Sequence, residues 1–170
     1  MYEESLRVPL LVRWPGVTKP GTSTELFALN NDYAETFLEI AGAPIPADMQ
    51  GRSLVPLLRG ETPPDWRKSM YYRYYHDPGD HNTRAHLGVR TTTHKLIHYW
   101  KKDQWECFDL VKDPHELHNI ANEPAAQEVV AQLKAEILRL KKELKDDDQF
   151  ADTHPNTGVD GQPSAKLEAK

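Results

Sequence analysis

Between residues 85 and 110 the chain packs aromatic and aliphatic side chains into short runs, Ala85 to Thr91, His94 to Trp100 and Trp105 to Leu110, separated by only a few polar residues. Links that short leave no room for a parallel crossover, so the runs pair as an antiparallel meander. Met70 to Tyr75 is aromatic-rich and reads as a further strand. Such a sheet needs cover on a face. Beyond Pro124, which suits the first helical position, Val130, Leu133, Ile137, Leu140 and Leu144 recur every three or four residues. That is the apolar stripe of one long amphipathic helix. It spans about two heptads, too few for a coiled coil, so it packs on the sheet. The fold class is α+β: a small antiparallel β-sheet packed by a long C-terminal helix. Within Lys95-Leu96-Ile97-His98-Tyr99 the alternation is imperfect and assigns no faces.

The front of the chain reads differently. Leu10 to Val12 is a short apolar run ended by Trp14-Pro15-Gly16, the pattern of a buried strand stopped by a turn. A buried strand needs neighbours, and only a charged stretch precedes it. Asp32 to Ala41 reads as a helix, with Asp32 and Glu35 in capping-box spacing and Gly42 at the end. Tyr33 and Phe37 are its expected core contacts. Ser53 is expected to cap a short turn with Leu54, Leu57 and Leu58 inward. Trp66 is expected to be a packing anchor. The 170 residues match one ordinary domain, but only 38% are apolar, so part of the length is expected to lie outside any core. The tail, residues 146–170, is polar and expected to be disordered.

Charge is uneven. Arg67, Lys68, Arg73, Arg84, Arg90, Lys95, Lys101 and Lys102 oppose only Asp77 and Asp80 in one block that also holds five histidines, whereas both flanks are acidic. A net charge of -5 with one basic block argues against nucleic acid and for a local anionic ligand; equally, the charges could simply face water along strands. No apolar run is long enough to span a membrane, and no signal peptide opens the chain. His115-Glu116-Leu117-His118 has its histidines three apart, not the four that a zinc-protease helix requires. The single Cys107 sits in an apolar run and reads as a buried, inert thiol. Asp146-Asp147-Asp148 lacks the alternation of a calcium loop. Within His81-Asn82-Thr83-Arg84-Ala85-His86-Leu87-Gly88-Val89-Arg90-Thr91, imidazole and guanidinium donors cluster in a pattern suited to oxyanions and sugar hydroxyls.

Six blocks in order resemble the sulfatases, alkaline-phosphatase-like enzymes that hydrolyse sulfate esters. These are Tyr2 to Gly16, the Asn31-Asp32 helix ending at Ala41-Gly42, Met49-Gln50-Gly51-Arg52-Ser53-Leu54, His86 to Thr91, Lys95-Leu96-Ile97, and Phe108-Asp109-Leu110 with Asp113-Pro114-His115-Glu116-Leu117. The later blocks are similar to the C-terminal subdomain of the N-sulfoglucosamine sulfohydrolase and iduronate-sulfatase-like branch. The resemblance implies that residues 1–60 are the terminal piece of the large α/β sulfatase domain, a remnant strand and helix. Residues 61–145 are then the C-terminal subdomain. The family's nucleophile is a formylglycine made in a Cys/Ser-x-Pro-x-Arg motif, which no Ser or Cys here opens. Calcium, formylglycine and the sulfate-contacting groups are implied only in a missing N-terminal catalytic domain, so no catalytic or metal residue is assigned here.

What the resemblance leaves to these residues is substrate selection. It implies a sulfated sugar bound by His86 first, then His81, with Arg84 and Arg90 beside them; an ion-pair role for Arg90 is the competing expectation. The expected function is the substrate-selecting side of a sulfatase acting on sulfated carbohydrate, inactive by itself. The alternatives are a stand-alone carbohydrate- or protein-binding module, or a gene fragment without function. Full-length relatives are expected in the periplasm, secreted or lysosomal.

Overall fold

In chain order, a computed structural model shows short helices α1 (Glu3–Leu6), α2 (Asp32–Ile40) and α3 (Val55–Leu58), then strands β1 (Ser69–Tyr74), β2 (His86–Thr91), β3 (His94–Tyr99) and β4 (Gln104–Asp109), and last the long helix α4 (Gln127–Glu143). It describes residues 1–149 and residue 151. Two compact units result: Met1–Leu6 together with the chain from Ser69 onward, and Arg7–Lys68. The units meet in sequence at Leu6–Arg7 and Lys68–Ser69, and the first six residues join the sheet. Among the described residues no helix is long and apolar enough to cross a membrane.

The strands form one sheet in the order β1-β2-β3-β4, each neighbour antiparallel. Val89 lies opposite Tyr71 and Leu96, and Leu96 opposite Cys107. Leu87, Val89, Leu96 and Cys107 meet Val130, Leu133, Ile137 and Leu140 of α4, with Ala121 and Ala126 completing this core. The helix stripe read from the sequence is thus the one that is buried. Burial raises the Cys107 thiol to about 11, with help from the Asp109 charge, so it is protonated and unreactive at neutral pH. On the same face His98 stacks on Trp105 at 3.9 Å.

The opposite face is covered by Met1–Leu6. Met1, Ile97 and Phe108 form a second apolar cluster with Leu6, Tyr72, Tyr99 and Leu110. Gly88 makes room for it, because a Cβ there would lie 2.6 Å from Met1 Sδ and 3.2 Å from Ile97 Cα. Lys95, Leu96 and Ile97 are all fully buried. Their strand is covered on both faces, which explains why its sequence shows no alternation.

Lys95 is a buried charge that needs partners. Its Nζ lies 2.9 Å from Glu3 Oε1 and 2.6 Å from Glu116 Oε1, two ion pairs that both lie off the hydrogen-bond axis. Arg90 reaches Glu3 through Nε and Nη2 at 3.2 and 2.9 Å. The Glu3 amide donates to Glu116 Oε2 at 2.6 Å. Glu116 adopts the left-handed conformation, φ 54°. The Glu116 of the His-Glu-Leu-His stretch is therefore a structural anchor.

The unit Arg7–Lys68 departs from expectation in two places. Leu10, Leu11 and Val12 form no strand and are 43%, 92% and 40% exposed; among the described residues no ladder is available for them to join. Helix α2 buries Asp32, Glu35 and Thr36, while Phe37 is 68% exposed and Tyr33 half-buried. The polar face wins because it carries the tertiary bonds. Asp32 accepts from the amides of Leu29 (2.7 Å) and Arg52 (2.8 Å) and from the Arg67 guanidinium. Thr36 Oγ1 accepts from the Leu54 amide at 2.8 Å. Asp32 is hence an anchor and not a cap, since Asn31 holds the cap position. In the short turn Leu54 and Val55 are buried and Leu57 and Leu58 half-buried, and Leu54 takes the cap place expected for Ser53. Trp66 is buried, with Nε1 donating to Phe27 O at 3.0 Å and Arg52 and Arg67 over its ring.

The tail expectation is corrected at its start. Asp146 accepts from Tyr71 and Arg73, and Asp148 from Lys141, at 2.6 Å each. Residue 150 and residues 152–170 lie outside the described residues.

Replacing Glu116 by Ala leaves the buried Lys95 ammonium to Glu3, which Arg90 also uses. The expected loss is about 1.5–3 kcal/mol of folding stability, read from urea unfolding of the purified chain. A loss below about 1 kcal/mol would show that water or another carboxylate takes over.

Candidate functional site

His76, His81, Arg84, His86 and Lys101 of the basic, histidine-rich block lie at one end of the sheet, where β1 ends, β2 begins and β3 gives way to the turn before β4. Tyr74 closes β1, and the chain then makes a loop, through a cis Asp77–Pro78 peptide, before His86 opens β2. His86 is placed deepest. Its ring stacks against Tyr72 (5.7 Å) and Tyr74 (5.6 Å) and is tilted against Tyr99 (5.6 Å). Nδ1 lies 2.7 Å from the Arg84 carbonyl, which can only accept, so Nδ1 carries the proton. Nε2 then accepts from the Met1 nitrogen at 3.1 Å. With both nitrogens engaged and 3% of the residue exposed, His86 faces inward. What the structure shows is a bond that fixes the Arg84 carbonyl. Burial, partly opposed by the Arg84 carbonyl bond, lowers its pKa to about 4, so the imidazole is neutral at pH 7.

His81 is the opposite case. It is exposed, and its backbone sits at φ 54°, ψ 28°, with Asn82 also left-handed at φ 60°. Two consecutive non-glycine residues there are uncommon and mark a loop held in place by its surroundings. Arg84, with a third of its side chain exposed, pairs with Asp77 at 3.4 Å, and Lys101 lies 3.8 Å from the other Asp77 oxygen. Asp77 thus ties Arg84 of the loop to Lys101 of the turn after β3. Arg90 is elsewhere, bound to Glu3 near the opposite end of β2. Of the four residues expected at a pocket edge, the structure groups His81, Arg84 and His86, and makes Arg90 an ion-pair partner.

Asp77, Gly79 and Lys101 were not singled out in the sequence. The signal was present: Asp77-Pro78-Gly79-Asp80 is a dense turn cluster, and Asp77 is one of two acids in the basic block. A second aromatic layer stands beside His86. Tyr2 donates to Glu106 at 2.8 Å and Tyr99 to the same oxygen at 3.3 Å. Burial and these bonds raise the Tyr2 hydroxyl well above its usual range.

Imidazole, guanidinium and ammonium donors suit an anion or a row of hydroxyls. No thiolate is at hand, since Cys107 is buried and protonated. Among the described residues no three His, Cys, Asp or Glu side chains are grouped to hold a metal ion.

Comparison with known proteins adds the family context. The family model described as N-sulphoglucosamine sulphohydrolase, C-terminal, matches residues 1–143. The chain is 41% identical over 151 residues to the N-acetylglucosamine-6-O-sulfatase of Bacteroides thetaiotaomicron, covering 87% of this chain and 27% of the relative. It is 29% identical over 171 residues to the Delta 4,5-hexuronate-2-O-sulfatase of the same organism, covering 96% and 35%. A solved structure in complex with its substrate D-glucosamine-2-N,6-O-disulfate superposes with a TM-score of 0.77 at 39% identity, over 80% of this chain and 28% of that one. The chain therefore spans between about a quarter and a third of these relatives.

A neutral buried histidine predicts acid sensitivity. His86 binds a proton at about 6.5 when unfolded and only at about 4 when folded. The unfolded state thus takes up more protons between these values, and stability falls as pH drops through that window. The expected contribution is up to about 3 kcal/mol. Burial also raises the Glu3 carboxyl, but its bonds to Arg90 and Lys95 outweigh this and hold it at about 2, so a second loss follows below pH 4.5. Urea midpoints across pH should show His86→Gln flattening the first step and leaving the second. The slope remaining in the first belongs to His98, which burial also lowers.

Proposed function

The chain belongs to the N-sulphoglucosamine sulphohydrolase C-terminal family, and from that premise we propose that it forms the substrate-selecting side of a sulfatase acting on sulfated carbohydrate of the glycosaminoglycan type. The observation that carries this reading is the loop at residues 76–84. It holds cationic and imidazole donors outward on a rigid sheet end, in a chain 41% identical to an enzyme named for a sulfated N-acetylglucosamine. Sites built from loops fixed on a rigid scaffold are the usual place for specificity.

Within that reading the roles divide. His81, and next to it Arg84, meet sugar hydroxyl or sulfate oxygens, while His86 fixes the carbonyl beneath Arg84 and Arg90 ties Glu3 to the sheet. Hydrolysis itself belongs to a catalytic domain upstream of these residues. Formylglycine and calcium would be supplied there. The exposure of Val8, Leu11 and Phe37, at 70%, 92% and 68%, supports such a partner domain, since apolar side chains gathered in one small unit mark an interaction surface.

Two measurements test the proposal. The purified chain, supplied with calcium, should turn over no aryl sulfate; metal-dependent turnover above blank sinks the division of roles. Next, the chain is grafted into the Bacteroides thetaiotaomicron N-acetylglucosamine-6-O-sulfatase in place of its matching segment. The graft should hydrolyse the 6-sulfated sugar. His81→Ala should lower kcat/KM for that sugar about tenfold to a hundredfold, the loss of one charge-assisted hydrogen bond. A small aryl sulfate, which has no sugar hydroxyls, should lose far less. Equal losses on both substrates, or none on either, overturn the site. A folded but inactive graft that binds sulfated sugar favours a stand-alone binding module.

A further inference from the structure

We propose that Asp77 and Gly79 are positioning residues that clamp the loop so that His81 stays in its left-handed backbone conformation, and that this clamp sets the sugar selectivity of the site; the inference rests on the sulfatase reading above.

A histidine at φ 54° followed by an asparagine at φ 60° persists only where the surroundings hold it. The structure shows what holds it. The Gly79 amide donates to the Thr83 carbonyl at 2.7 Å, closing the loop across His81. Gly79 sits directly on Tyr74: a Cβ there would overlap the Tyr74 hydroxyl and fall 2.7 Å from its Cζ. Tyr74 cannot easily move away. Its ring is stacked on His86 and tilted against His76, at 5.6 Å each. On the far side Asp77 reaches Arg84 at 3.4 Å and Lys101 at 3.8 Å, joining the loop's start to its end and to the turn after β3. The Arg84 carbonyl is in turn held by His86 Nδ1 at 2.7 Å. Each partly exposed ion pair is weak alone. Together with the glycine seat they fix the loop at both ends and its middle. Selectivity follows because a donor held in place loses less entropy on binding than one that must be ordered first.

The test is a double-mutant cycle in the grafted enzyme described above, reading kcat/KM on the 6-sulfated sugar relative to an aryl sulfate. Gly79→Ala pushes the loop off Tyr74, and that ratio should fall about tenfold, chiefly through KM. In a His81→Ala background the same change should matter less than about twofold, since the residue it positions is gone. An undiminished effect in that background shows that Gly79 acts through something else and overturns the inference, as does no effect in the parent. If Gly79→Ala fails to fold, judged by circular dichroism, Asp77→Asn goes through the same cycle, with an expected fall of about threefold. If His81→Ala alone leaves the ratio unchanged, the sulfatase reading of this loop fails first, and the clamp with it. A normal His81→Ala loss with silent Gly79 and Asp77 variants sinks only the clamp.

Discussion

Lys95 carries its ammonium into the sheet with no exposed surface, and that charge can stay there only because Glu3 and Glu116 meet it. Removing an ion from water costs several kcal/mol even after relaxation, so the strand cannot be buried on this face before the carboxylates arrive. One comes from the start of the chain and one from a left-handed residue in the loop beyond β4. Arg90 then uses the other Glu3 oxygen. The result brings three remote stretches to one point and places Met1–Leu6 across the sheet. The Gly88 notch and the Met1 side chain complete that docking. Apolar contacts supply most of the driving force; the charges decide register and partner.

Much of this was legible beforehand. The meander, the long helix and its stripe, and the inert Cys107 all follow from local pattern, because each depends on neighbours close in sequence or on a periodic face. The strand from His94 was legible too, but its faces over residues 95–99 were not assignable. Pattern reading presumes one wet face, and Lys95 breaks that presumption by being both charged and buried. Helix α2 misled for the same reason in reverse: its apolar residues looked inward, yet Asp32 and Thr36 hold its tertiary bonds. Propensity cannot see a guanidinium thirty-five residues away.

At the sheet end the same lesson divides the histidines. His86 and His81 are five residues apart and alike in sequence context, but one is neutral and enclosed by tyrosines while the other is exposed on a constrained turn. Composition marked the block as basic and could not rank its members. Burial ranks them, since a ring with both nitrogens spent on the protein has none left to offer a ligand. The aromatic face around His86 therefore works as the floor on which the loop that carries His81 is set.

The separation between Glu3 and Glu116 has a consequence during synthesis. The two are 113 residues apart in the chain. At ribosomal rates of about 5–20 residues per second, Glu3 is made roughly 6–23 s before its last partner. Throughout that interval the apolar side chains of Met1 and Leu6 have no sheet to rest on, and the residues that will cover it wait unpaired. The two glutamates at Glu3 and Glu4 keep this segment in water during the wait, and the same carboxylate that keeps it soluble becomes the bond that finally locks it down.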